Sequence, residues 1–138
     1  MKSKNLTYIN DSKATNVASV VADIGVIRED FLLILGGSDK GEDFLPLALS
    51  LKNNNFLKQI VVCGAIKHKI CEALSEQNLN FEVAENFRAA VLFASGFAKK
   101  YGKRISVLLA PACASFDEFS GYGERGLAFK KYVFEGEK

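Results

Sequence analysis

Residues 30–37, DFLLILGG, form an unbroken apolar run closed by two glycines. A strand buried on both faces reads this way, because neither side of the pleat meets water. The stretch before it, 14–27, repeats Val17, Ala18, Val20, Val21 and Ile24 at helical spacing. After it, 44–54 puts Phe44, Leu47, Ala48 and Leu51 on one helical stripe. The alternation continues along the chain. QIVVCG (59–64) predicts a strand, 66–78 a helix with Ile70, Ala73 and Leu74 inward, and FEVAE (81–85) a short strand. Residues 86–102 predict the longest helix, with Asn86 as its N-cap, Phe87, Val91, Ala94 and Ala98 on its inner face, and Gly102 as its stop. RISVLLAPA (104–112) predicts another strand, YIN (8–10) a short one at the start, and 115–134 a final helix.

Strands alternating with helices of this length imply βαβ units. The fold class is therefore α/β, a Rossmann-like, mostly parallel sheet with helices on both faces. Ligands of such sheets bind outside the carboxyl ends of the strands. That rule directs attention to the loops after Asn10, Leu35, Cys63, Glu85 and Leu109.

Composition narrows the picture. At 138 residues the chain suits one domain, 1–138, large enough to fold without disulfides or a metal. A net charge of +2 gives no basic patch for nucleic acid. No apolar run is long enough to span a membrane, and the first residues lack a signal-peptide core. Three widely spaced cysteines, Cys63, Cys71 and Cys113, fit reduced thiols. The expectation is a cytoplasmic monomer.

Several motifs are weaker than their letters. Gly121-Tyr-Gly123-Glu-Arg-Gly126 matches G-x-G-x-x-G, but no strand precedes it and only twelve residues follow, so it predicts a loosened helix start. No Walker A loop is present. His68 is the only histidine, which leaves neither a zinc set nor an imidazole to activate a nucleophile. Cys63 predicts core. Cys113 lies among small residues, "PACAS" (111–115), where the expectation is a space-filler that lets a ligand carboxylate come close. Three polar loops share the binding edge: 10–16, 36–41 with Lys40, and 111–115 with Ser115 or Ser120 at a helix start. Helix starts attract carboxylates and phosphates, so together the loops predict an anion site.

These loops also carry a resemblance. YINDSKATN (8–16), LLILGGSDKGEDFLPLA (32–48) and VLLAPACASFDEFSGYGERGLAFK (107–130) resemble the C-terminal domain of the Mur ligases, most of all the branch that adds D-glutamate. The resemblance implies a cytoplasmic, ATP- and Mg2+-dependent amide-forming ligase of peptidoglycan synthesis. Its UDP-binding and central ATPase domains would lie outside this chain. The implied partners are D-glutamate, UDP-N-acetylmuramoyl-L-alanine and ATP. Thr15 and Lys40 resemble partners of the α-carboxylate of D-glutamate, and Ser115 with the backbone around Tyr122 partners of its side-chain carboxylate. Asp11 resembles the residue that holds the ATP ribose, with Lys13 near the phosphates. No residue of this chain is implied to be catalytic or to hold a metal, and the domain by itself is expected to be inactive. Two alternatives remain at this point: a free-standing anion-binding α/β module, and the same domain of another Mur ligase or of a folylpolyglutamate synthase. A ligand-type loop so close to Met1 favours a piece of something larger over the free-standing module.

Overall fold

The computed structural model describes residues 6–115 and 117–137. In chain order the elements are β1 (Leu6–Asn10), α1 (Val17–Val26), β2 (Phe31–Gly36), α2 (Leu45–Lys52), β3 (Leu57–Cys63), α3 (Lys67–Glu76), β4 (Glu82–Val83), α4 (Phe87–Tyr101), β5 (Ile105–Leu109) and α5 (Tyr122–Gly136). The five strands form one sheet in the order β1-β5-β2-β3-β4, and every pairing is parallel.

That order follows from the connections. The crossovers through α1, α2 and α3 all advance the sheet in one direction, and α4 carries the chain back to insert β5 between β1 and β2. Right-handed crossovers then put the returning helix on the opposite face. The core divides accordingly. Leu33 and Leu35 of β2 pack with Val20, Leu47 and Ile70 on the α1–α2–α3 side. Leu32 and Ile34, their alternating neighbours, pack with Val91, Ala94 and Phe129 on the α4–α5 side. β2 is buried at all six positions, as its unbroken apolar run requires.

Two local signals hold. Asn86 caps α4 by accepting from the Ala89 N–H, and Gly102 ends it at φ 77°, a left-handed conformation that glycine adopts without cost. One expectation fails. The final helix begins at Tyr122, not at Ser115, so neither Ser115 nor Ser120 caps it; its N-cap is Gly121. Ala112, at φ 64°, turns the chain just past β5, and residues 112–115 are held as a loop by the bridge between Ser38 and Ala114. Phe116, inside the predicted helix, lies outside the described residues.

Candidate functional site

The ends of β1, β5 and β2 are neighbours in the sheet, so the three polar loops meet at one edge. Backbone bonds fix each to the next. The Asp11 N–H donates to Leu109 O at 2.8 Å, Ala112 N–H to Ala14 O at 2.9 Å, Gly36 N–H to Pro111 O at 3.0 Å and Ser38 N–H to Ala114 O at 2.8 Å. The glycine pair makes the last approach feasible. A Cβ on Gly36 would fall 1.7 Å from Cys63 O, and one on Gly37 2.1 Å from Ala114 O.

Between these loops and the start of α5 lies a cleft of about 520 Å3. Thr15, Lys40, Ser115 and Tyr122 all line it, together with Gly121 and Gly123. The four residues picked out for an amino-acid substrate are thus brought together. Asp11 and Lys13, picked out for a nucleotide, do not line it. Lys13 is exposed on the same loop. Asp11 is half-buried against Asp23 of α1, where burial, a hydrogen bond between the two carboxyls and the charge of Asp11 push Asp23 up to about 7.

Two features give the cleft its chemistry. The first is the start of α5. Its N-cap is a glycine with no side chain to accept from the first-turn N–H groups. Glu124 stands in that turn, but its carboxylate is taken by the Ser120 hydroxyl, which donates to it at 2.7 Å. The second is Ser115, only 1% exposed, whose Oγ has no hydrogen-bond partner. A buried hydroxyl without a partner carries a desolvation cost that an incoming acceptor removes. Exposed Lys40 supplies a cation at the rim.

Cys113 has the other chemistry. It is 1% exposed and belongs to the core cluster. Burial pushes its thiol up to about 12, against the opposing pull of Arg125. A thiol protonated at neutral pH is no nucleophile, and the space-filling reading stands. Cys63 is buried and His68 exposed, as their sequence contexts predicted. Among the described residues no group of three His, Cys, Asp or Glu side chains could hold a metal ion. No helix among them is long and apolar enough to cross a membrane.

Sequence reasoning missed four residues that shape this edge. Ser12 and Arg125 join the first loop to α5. The Arg125 Nε donates to Ser12 Oγ at 2.9 Å and its Nη2 to Ser12 O at 2.8 Å, while Ser12 Oγ donates to Tyr122 O at 2.7 Å. Glu42 accepts from the Val17 N–H at 2.6 Å, tying the Lys40 loop to the start of α1. Glu118 accepts from the Phe87 N–H at the start of α4. Only Arg125 left a trace in the sequence: it stands four residues before Phe129 and eight before Val133, on the buried stripe of α5.

No family model matches the chain. Curated relatives do. The chain is 39% identical over 130 residues to a UDP-N-acetylmuramoylalanine–D-glutamate ligase of Chlamydia abortus, an alignment covering 94% of this chain and 30% of that protein. It is 38% identical to the protein of the same name from Chlamydia pneumoniae, over 97% of this chain and 31% of the relative. A third, from Francisella tularensis subsp. tularensis, is 39% identical over 99% of this chain and 32% of its own length. The chain therefore spans about a third of the length of the curated relatives it matches.

Proposed function

The chain is homologous to about a third of the UDP-N-acetylmuramoylalanine–D-glutamate ligases, and on that premise we propose that it is the D-glutamate-delivering C-terminal domain of such a ligase. The whole enzyme joins D-glutamate to UDP-N-acetylmuramoyl-L-alanine in peptidoglycan synthesis. ATP phosphorylates the carboxylate of the UDP-linked substrate. The free amine of D-glutamate attacks the acyl phosphate; a C–N bond forms, the C–O bond to the phosphoryl group breaks, inorganic phosphate leaves, and the nitrogen gives up one proton to solvent and keeps the other as the amide N–H.

The part of this chain is to hold the amino acid. A dicarboxylate needs two anion sites a few ångströms apart, and the cleft offers two kinds. Thr15 and Lys40 take the α-carboxylate. Ser115 and the N–H groups at the start of α5, around Tyr122, take the side-chain carboxylate. The observation that carries this reading is the pairing of the uncapped α5 start with the buried, unpartnered Ser115 hydroxyl in one cleft. Held at both ends, D-glutamate has its amine fixed in direction, and positioning of a nucleophile is worth a large part of a bimolecular barrier.

Asp11 and Lys13 face the nucleotide, the first toward the ribose and the second toward the phosphates. Among the described residues no group of three His, Cys, Asp or Glu side chains comes together; in this reading the metal and the phosphate cradle are supplied by the rest of the ligase. No step of the chemistry is routed through a side chain of this chain. The reading is tested by ADP release from the full ligase given UDP-N-acetylmuramoyl-L-alanine. Release that depends on D-glutamate supports it. Release that is equal with another amino acid, or absent with D-glutamate, overturns it.

A further inference from the structure

Arg125 is the largest fully buried side chain among the described residues, 1% exposed, and its guanidinium is incompletely satisfied. Nε and Nη2 are used by Ser12. Nη1 has no hydrogen-bond partner. No carboxylate of the described residues is within ion-pair distance of it. Asp117 is near enough to support the charge but spends Oδ2 on the Ala65 N–H. Burial pulls the arginine down from its ordinary value, though an arginine stays charged in any protein environment. A buried cation without a direct ion pair is costly, and an apolar side chain of similar size would serve the core better.

The orphan donor has a definite place. A Cβ on Gly37 would sit 3.0 Å from Nη1 and 2.1 Å from Ala114 O. Nη1 therefore lies near the end of β2 and the Ser38–Ala114 bridge, and Ala114 and Ser115 line the cleft. The same wall holds the unpartnered Ser115 hydroxyl.

We propose that Arg125 is a specificity-determining residue for the dianionic amino acid: its charge, which no direct ion pair among the described residues neutralises, is held beside the cleft wall and sets a positive potential for the side-chain carboxylate without touching it. The inference rests on the function proposed above. A charge surrounded by protein is screened far less than one in water, so it acts through a layer of backbone where an exposed lysine could not. Ser12 holds the guanidinium in place, and the bound carboxylate adds to the partial compensation that Asp117 provides.

The experiment separates charge from shape. Arg125→Lys keeps the charge and loses the fork; Arg125→Gln and Arg125→Met remove the charge in two different shapes. Steady-state kinetics of the full ligase are run with each substrate varied in turn, and circular dichroism melts report folding. The expected result is a KM for D-glutamate raised about tenfold or more in both uncharged variants and by less than about threefold in Arg125→Lys, since each tenfold corresponds to one well-placed interaction. KM for ATP and for the UDP-linked substrate should stay put. The ratio of uncharged variant to parent should also survive high salt, which a rim charge would not allow. Equal losses in all three variants, or a D-glutamate KM that does not move, would overturn the proposal. So would two uncharged variants that fail to fold beside a folded Arg125→Lys, because the charge would then be structural. A parent enzyme without D-glutamate-dependent turnover would remove the function proposed above, and this inference with it.

Discussion

Helices α1 and α5 both start near the carboxyl edge of the sheet, and their first turns are treated in opposite ways. At α1, Asn16 accepts from the Ser19 N–H at 2.8 Å and Glu42 reaches from another loop to the Val17 N–H. At α5, a glycine occupies the cap position and the first-turn carboxylate is turned aside by Ser120. The α4 start resembles α1, closed by Asn86 and Glu118. A helix start exposes four unpaired donors whatever the protein does. Where the chain supplies its own acceptors, that end is architecture. Where it withholds them beside a buried hydroxyl, the end stays available to an acceptor from outside. Placement at the ligand edge alone does not distinguish the two cases, and the capping partners do.

The comparison breaks most visibly if the open end loses its helpers. Lys40→Ala or Ser115→Ala should raise the KM for D-glutamate by about ten- to a hundredfold, because a hydrogen bond to a charged group is worth roughly 1.5–3 kcal/mol. KM for the UDP-linked substrate should hardly change. An unchanged D-glutamate KM in both variants would make these loops simple turns. Next comes a reversal: Gly121→Asp closes α5 as α1 is closed. The position is extended, at φ −178°, and a Cβ there meets nothing within 4 Å, so aspartate is sterically free to cap. The helix should gain a few tenths of a kcal/mol, which is the small margin of a good cap over glycine. The D-glutamate KM should rise about tenfold, since a like charge now faces the side-chain carboxylate. A stabilised variant with unimpaired KM would refute the open-end argument.

The smallest effects sharpen the comparison at the closed ends. Glu42→Ala and Asn86→Ala each remove one acceptor from a helix start and should each cost about 1 kcal/mol in chemical denaturation. Only Glu42 also ties the Lys40 loop to the Thr15 loop. Its loss should therefore raise the D-glutamate KM several-fold, while Asn86→Ala leaves it alone. Equal KM values in the two variants would mean that Lys40 needs no such tether.

The local part of this structure was legible. Apolar periodicity placed the five strands and the first four helices, because the pattern records which faces meet the core: Phe87, Val91, Ala94 and Ala98 are all buried as their spacing predicts. Asn86 and Gly102 could be read because a cap and its helix are adjacent in sequence. The quartet that lines the cleft, Thr15, Lys40, Ser115 and Tyr122, was legible through loop chemistry and resemblance together. What stayed hidden is non-local. Glu42 caps a helix 25 residues earlier and Glu118 one 31 residues earlier, and no sequence window connects such pairs. The misplaced start of α5 has a similar cause. Acidic, amphipathic residues from Ser115 onward read as helix, but Ser115 is drawn into the core and the loop around it is pinned to β2. Arg125 was overlooked because an arginine in a G-x-G-x-x-G string reads as solvated, while its place on the Phe129 and Val133 stripe says otherwise.

The bond between Arg125 and Ser12 spans 113 residues, and that between Asn10 and Gly126 spans 116. Loop closure over such distances is slow and adds little until nearly the whole sheet has formed. During synthesis, β1 must wait for β5 before it gains a neighbour, and the first loop waits longer still for α5. The cleft is thus complete only when α5 is docked against the first loop. A chain ending before Gly121 keeps all five strands of the sheet but lacks the α5 wall of the cleft, so the cleft is complete only once the last helix is in place.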